Sequence, residues 1–263
     1  MAATQISVIN SSTVLSDDDV KSVVPALQQQ VTRDFYPQWG ADAALTFVPQ
    51  GSNPAPGSWW LVILDDSDQA NALGYHDLTS EGLPISKVFA GSDLKLGTSW
   101  TVTASHELLE MLADPDINLT VLVQADNTTG RLYAYEVCDA CEDDSFGYQI
   151  NGVLVSDFVY PSWFESFWAG KKTQFDFQKN IDQPFQLLKG GYIGIFDITA
   201  GAGWTQLTAQ EGVTTRERGP VGSRRERRRT ARHLWVKSTS HADIRKNAET
   251  YQKRLAKAMK RAA

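Results

Sequence analysis

The sequence predicts an α+β fold with a mixed sheet. Apolar runs of strand length recur along the chain, two segments with helical periodicity interrupt them, and the second half returns to hairpin signals. The chain has 263 residues, of which 42% are hydrophobic and 21% charged. A chain of this length can bury a substantial core. It contains no apolar run of about 18 residues, so we expect no transmembrane helix and no membrane partner.

The first half of the predicted body begins with a strand and a helix. Ser16, followed by the acids Asp17, Asp18 and Asp19, indicates a helix start. A serine accepts a hydrogen bond from the first turn, and carboxylates there favour the positive end of the helix dipole. Apolar residues then recur at helical spacing. Strands are predicted at residues 5–9, 45–48, 59–64 and 86–89.

The second half contains one more helix and several strands. Residues 99–112 are predicted as a helix with apolar flanks, which ends at Asp114-Pro115 because proline disfavours a helical residue before it. Asn151-Gly152 is a strong hairpin signal. Strands are predicted at residues 119–123, 132–137, 148–150, 153–155 and 192–198.

The formal net charge of −6 conceals two unlike parts. Residues 1–213 carry 9 Lys and Arg against 27 Asp and Glu, whereas residues 214–263 carry 16 against 4. The sequence therefore predicts an acidic domain at residues 1–210, a basic flexible linker at residues 211–238, and an amphipathic C-terminal helix at residues 239–263.

The basic tail has three interpretations. Its amphipathic helix favours docking on a protein partner or assembly through residues 214–263. Nucleic acid binding through the arginines is less favoured, because few aromatic residues are interleaved with them. The third interpretation is a solvated linker. The N-terminus lacks the features of a Sec-type signal peptide, so we expect a cytoplasmic protein or one exported by a different route.

The segment that indicates chemistry is His106-Glu107-Leu108-Leu109-Glu110, an HExxE pattern on the predicted helix. His106 and Glu110 are one turn apart, so both project from the same face and can ligate one metal ion. Glu107 is displaced around the helix, where a carboxylate can act as the base for a metal-activated water. We expect zinc or another divalent metal as cofactor.

A zinc site needs a third protein ligand, and the acidic segment YEVCDACE downstream is the best source. Glu136 is the first choice for this ligand and Asp139 the second. The one that does not bind the metal would orient a ligand, as would Asp114 at the end of the helix. His76, which we expect in a loop, is a candidate for substrate contact or a structural histidine. Cys138 and Cys141 are expected to be structural thiols or a local disulfide.

The segments SHELLEMLADP and YEVCDACEDDSFGYQINGVLVSDFVYPSWF resemble those of bacterial and phage zincin-like metallopeptidases. The similarity spans roughly residues 5–200, and a more distant one links the chain to exordium-type plant proteins. The resemblance implies that residues 1–210 form a zincin-like metal-dependent hydrolase domain. It further implies a metal held by His106, Glu110 and an acid at 136–139, Glu107 as base, and a peptide or protein substrate. The pattern departs from HExxH, and two carboxylates among the ligands would neutralise the charge of a divalent ion. A neutral metal site acidifies its bound water less than a cationic site does. A catalytically inactive binding module that works through its tail is the alternative.

Overall fold

The computed structural model describes residues 3–68, 72–124, 126, 128–166, 172–199, 203–210 and 212–217. In this part of the chain the strands are β1 (Thr4–Asn10), β2 (Ala43–Val48), β3 (Trp59–Leu64), β4 (Gly74–Leu78), β5 (Pro84–Phe89), β6 (Thr120–Gln124), β7 (Gly130–Ala134), β8 (Tyr148–Ile150), β9 (Val153–Val155), β10 (Tyr192–Asp197), β11 (Trp204–Gln210) and β12 (Gly212–Glu217). The α-helices of the same part are α1 (Asp17–Gln29), α2 (Tyr36–Trp39), α3 (Ala90–Leu96) and α4 (Trp100–Ala113). A π-helical stretch, Gln30–Phe35, joins α1 to α2.

The first sheet is mixed and has the strand order β2-β1-β3-β5-β4. Its first four strands are parallel to one another, whereas β4 pairs antiparallel with β5 at the edge. The register of this last pair sets His76 opposite Ser86. The predicted combination of helices with a mixed sheet is therefore confirmed at the level of an α+β architecture.

The second sheet is antiparallel throughout and has the order β12-β11-β10-β7-β6. A separate hairpin joins β8 to β9 across Asn151 and Gly152, both of which have positive φ angles. This conformation is the one that a two-residue hairpin turn requires, which explains why the Asn-Gly pair predicts the hairpin at the observed strands.

Helix α1 starts where the sequence predicts. The Ser16 side chain accepts a hydrogen bond from the Asp19 backbone N–H, and the Asp19 carboxylate accepts one from the Ser16 N–H. This reciprocal pair satisfies two donors that the first helical turn leaves without partners. Val20, Val23 and Leu27 lie on the buried face of the helix and join the core.

Helix α4 is enclosed by the protein. It contacts β4 and β5 of the first sheet and also β9. Leu108, Leu109 and Met111 are fully buried within an apolar cluster that also includes residues of β1, β3 and α1. Ser105 is held from outside the helix, since its Oγ accepts a hydrogen bond from the Ser156 backbone N–H at 2.6 Å.

Three features differ from the sequence expectations or extend them. His76 lies on strand β4, so its prediction as a loop residue is wrong. Strand β12 pairs with β11 and continues the second sheet beyond residue 210, into the range predicted as linker. Both cysteines, Cys138 and Cys141, are buried free thiols, which decides between the two predicted states.

The rest of the predicted linker and the C-terminal helix, residues 218–263, lie outside the described residues. Within the part that the structure describes, none of the helices combines the length and the apolar character that crossing a bilayer requires.

Candidate metal centre

Helix α4 carries three of the candidate site residues. His106 and Glu110 are one turn apart, and the distance between His106 Nε2 and Glu110 Oε2 is 3.4 Å. The other oxygen of Glu110, Oε1, accepts a hydrogen bond from the backbone N–H of Cys138 at 3.1 Å. The helix therefore presents an imidazole nitrogen and a carboxylate oxygen side by side. The hydrogen bond from Cys138 holds the carboxylate in this position.

Asp139 approaches this pair from the acidic segment that follows β7. It begins a short 3₁₀ turn, Asp139–Cys141, whose neighbouring residues are packed in the apolar core. The Ala140 carbonyl accepts a hydrogen bond from the Leu188 N–H at 2.9 Å, which fixes the turn against the body. As a result Asp139 Oδ1 lies 3.3 Å from His106 Nε2.

One ligand atom from each of His106, Glu110 and Asp139 lies within 4.8 Å of the other two, and all three residues are buried. Two atoms bound to one tetrahedral zinc ion at about 2.0–2.2 Å are about 3.3–3.6 Å apart. The distances from His106 to its two acidic neighbours fall in this range. One imidazole and two carboxylates also suit zinc and other first-row divalent ions. The residues therefore fit a divalent metal ion.

A second group shares Glu110 and contains His76 and Glu136. Alternation along β4 directs Gly74 and His76 toward the same side, and a Cβ at Gly74 would meet the side chains of Glu107 and Thr103 on α4. His76 is 1% exposed. Its Nδ1 lies 3.6 Å from Glu110 Oε2, and its Nε2 lies 3.5 Å from Glu136 Oε2.

Glu107 lies beside the second group. Its Oε2 is 3.5 Å from His76 Nδ1 and has no hydrogen-bond partner within the described residues. The backbone carbonyl of Glu107 accepts a hydrogen bond from the hydroxyl of Ser86 on β5 at 2.8 Å, so this part of α4 is fastened to the first sheet. The carboxyl group is thus buried, and one of its oxygens has no hydrogen-bond partner among the described residues.

The site concentrates negative charge in the interior. Burial and the neighbouring charge of Asp139 raise the pKa of Glu110 well above its ordinary value. Burial lowers the pKa of His106, but Glu110 and Asp139 outweigh this effect and raise it well above the ordinary value. Burial also raises the pKa of Glu142 to about 8. These shifts mean that the acids repel one another and require protons or a cation as compensation.

Tyr192 is a member of the site that the sequence analysis missed. Burial and then the charge of Asp139, to which its hydroxyl is hydrogen-bonded, raise the pKa of Tyr192 well above the ordinary value. The residue lies on β10, far along the chain from the HExxE helix. Its position gave no sequence signal, because an aromatic residue at the start of a strand is ordinary.

The structure distributes the predicted site residues as follows. Asp139 joins the group of His106 and Glu110, whereas Glu136, the first choice for this third ligand, joins His76 in the second group. Asp114 is fully buried, and its two oxygens accept hydrogen bonds from the backbone N–H groups of Asn118 and Leu119. It therefore stabilises the turn that follows helix α4.

No protein-family model, curated protein or solved structure matches this chain.

Proposed function

We propose that this protein is a metal-dependent hydrolase of the zincin-like type, with a peptide bond as its substrate. The observation that supports the proposal best is the buried group of His106, Glu110 and Asp139. The distances from His106 Nε2 to Glu110 Oε2 and to Asp139 Oδ1, 3.4 and 3.3 Å, fit the edges of a tetrahedral metal centre. Glu107, next to the histidine ligand, supplies an acid–base group at the same place.

The ion would be held by His106, Glu110 and Asp139 and would supply a Lewis acid for a water molecule and for the substrate carbonyl. The remaining work falls to the side chains around it. Glu107 is not one of these three ligands, and its Oε2, 3.5 Å from His76 Nδ1, accepts no hydrogen bond from the described residues. It can take a proton from the attacking water and return the proton to the nitrogen of the leaving group.

The position of β4 at the edge of the first sheet favours an extended peptide as the substrate. Strand β4 ends the sheet in the described part of the chain, so one row of its backbone N–H and C=O groups faces away from β5. Such an edge pairs readily with an extended peptide. A peptide aligned along β4 would pass beside Glu107, because Gly74 and His76 contact or approach that side chain.

The test combines metal analysis with a substitution that spares the ligands. We expect the purified full chain to contain or take up a divalent transition metal, and a chelator to abolish hydrolysis of a fluorogenic peptide library. Glu107→Gln should keep the metal content and lower kcat by about 10²–10⁴-fold, the usual contribution of a general base. Glu81→Gln, which alters an exposed carboxylate on the turn between β4 and β5, is the matched control.

Two outcomes contradict the proposal. A chain that neither contains nor acquires a transition metal has no such centre, and a Glu107→Gln variant as active as the Glu81→Gln control has a different catalytic base. A wild-type chain that binds metal but cleaves no peptide would instead favour the alternative, a binding module that works through residues 214–263.

A further inference from the structure

His76 is the least expected residue of the site. It is buried on the edge strand β4, and neither of its ring nitrogens has a hydrogen-bond partner within the described residues. Buried polar atoms without partners cost free energy, and proteins rarely keep them without a reason. Three carboxylates surround this imidazole at 3.5–3.6 Å, those of Glu107, Glu110 and Glu136.

The ligand groups indicate two ion positions that meet at one carboxylate. His106 and Asp139 lie on one side of Glu110, and His76 and Glu136 on the other. The same oxygen, Glu110 Oε2, is 3.4 Å from His106 Nε2 and 3.6 Å from His76 Nδ1. Since Oε1 is held by the Cys138 N–H, Oε2 is the atom that faces both imidazoles.

We propose that the protein binds a second divalent transition-metal ion through His76 and Glu136, with Glu110 as a ligand shared between the two ions. The proposal rests on the proposed function for the first ion position. The second position offers one imidazole and two carboxylates, which is the same donor set as the first. The ions of choice are therefore the same, zinc or manganese.

Charge compensation supports two ions over one. The site holds the carboxyl groups of Glu107, Glu110, Glu136 and Asp139. With these four groups ionised and the imidazoles neutral, one divalent ion leaves half of the negative charge uncompensated in a buried site, whereas two ions compensate all of it. Paired ions about 3.5–4 Å apart that share a carboxylate are an established arrangement in hydrolases.

The experiment measures metal stoichiometry on the full chain. Metal-free protein is titrated with Zn²⁺ and with Mn²⁺ by calorimetry, and the bound metal is counted by mass spectrometry after dialysis. We expect about two ions per wild-type chain and about one in His76→Gln and in Glu136→Gln. Asp139→Asn should also retain about one, at the other position. Glu81→Gln, the exposed-carboxylate control, should retain two.

A spectroscopic measurement on the wild-type chain removes the dependence on variants that fail to fold. Two Mn²⁺ ions joined by a carboxylate are exchange-coupled. Their electron paramagnetic resonance spectrum should therefore differ from the six-line spectrum of an isolated ion. We expect the coupled spectrum at full loading and an isolated-ion spectrum in folded His76→Gln.

The possible results separate the two proposals. One ion per wild-type chain, or two uncoupled ions whose number His76→Gln leaves unchanged, overturns the shared site but leaves the proposed hydrolase intact. No bound ion under any condition overturns both proposals. Two coupled ions, reduced to one by His76→Gln, support the shared site.

Discussion

Gly74 lets β4 approach helix α4 closely, and replacing it by alanine tests how the two elements pack at the site. A Cβ at this position would lie 2.6 Å from Glu107 Cγ and 2.9 Å from both Glu107 Oε1 and Thr103 Cγ2. Carbon atoms in favourable contact are about 3.5–4.0 Å apart, so the strand or the helix must move by about 1 Å. Thr103 is β-branched and Glu107 is buried, so neither can rotate away freely.

The expected cost follows from overpacking a well-filled interior, which usually amounts to about 1–3 kcal/mol. The alanine recovers part of this, about 0.4–1 kcal/mol, because it restricts the unfolded chain. We therefore expect Gly74→Ala to lower the free energy of unfolding by about 1–2 kcal/mol. Urea unfolding followed by the fluorescence of the eight tryptophans provides the measurement. The rate of peptide hydrolysis should fall by more than the loss of folded protein explains, because the displaced side chain, Glu107, is the proposed base.

Gly130→Ala is the matched control, also on a strand. Its Cβ would meet Ile198 and Leu122 side-chain atoms at 3.4 Å and a backbone oxygen at 3.6 Å, which is near ordinary contact. Its free energy of unfolding should change by less than about 0.5 kcal/mol. If Gly74→Ala is as stable and as active as Gly130→Ala, β4 does not pack against Glu107 as described and the reasoning fails.

Two further predictions concern the rest of the fold. Burial and the adjacent carboxyl of Asp176 raise the pKa of Asp157 to about 9, so the folded chain holds a proton that the unfolded chain releases. The free energy of unfolding should therefore fall by up to about 1.4 kcal/mol per pH unit as the pH rises from about 5 to 9. Asp157→Asn should reduce this slope in urea titrations at several pH values, and an unchanged slope would contradict the assignment. Ser16→Ala should cost about 0.5–2 kcal/mol by removing the N-cap, against a near-neutral Ser22→Ala on the same helix, and equal thermal midpoints for the two variants would refute this.

Local sequence signals predicted those elements whose structure depends on nearby residues. Helix α4 is predicted at residues 99–112 and runs from Trp100 to Ala113. The hairpin strands β8 and β9 match their predicted bounds because the Asn151-Gly152 turn fixes them. In both cases capping or turn chemistry and apolar spacing act within a few residues of each other.

Elements that depend on distant partners were missed. Strand β4, with the sequence GYHDL, contains a glycine and two polar residues and carries no clear strand signal. It is a strand because β5 supplies its hydrogen bonds and α4 supplies its packing. Strand β12 was missed for the same reason. Its sequence GVTTRE is polar, and the segment is a strand because it pairs with β11 along its length.

The candidate site divides along the same line. Sequence spacing places His106, Glu107 and Glu110 together because one helix carries all three. It ranked Glu136 above Asp139 as the third ligand, whereas the position of each acid depends on how the segment turns after β7. Packing of that segment against the core brings Asp139 toward His106 and directs Glu136 to His76. The role of His76 could be recognised only once the first sheet had been assembled.

The placement of these acids also has an energetic consequence. An apolar core is a costly environment for a carboxylate, and the raised pKa values of Glu110 and Glu142 express that cost. Substituting apolar residues would relieve the repulsion and would leave the packing of α4 on the first sheet largely intact. The fold nevertheless brings acids from two separated segments, 107–110 and 136–142, around two buried histidines. Structural requirements alone would not favour this arrangement, whereas the proposed cation binding accounts for both the burial and the charge.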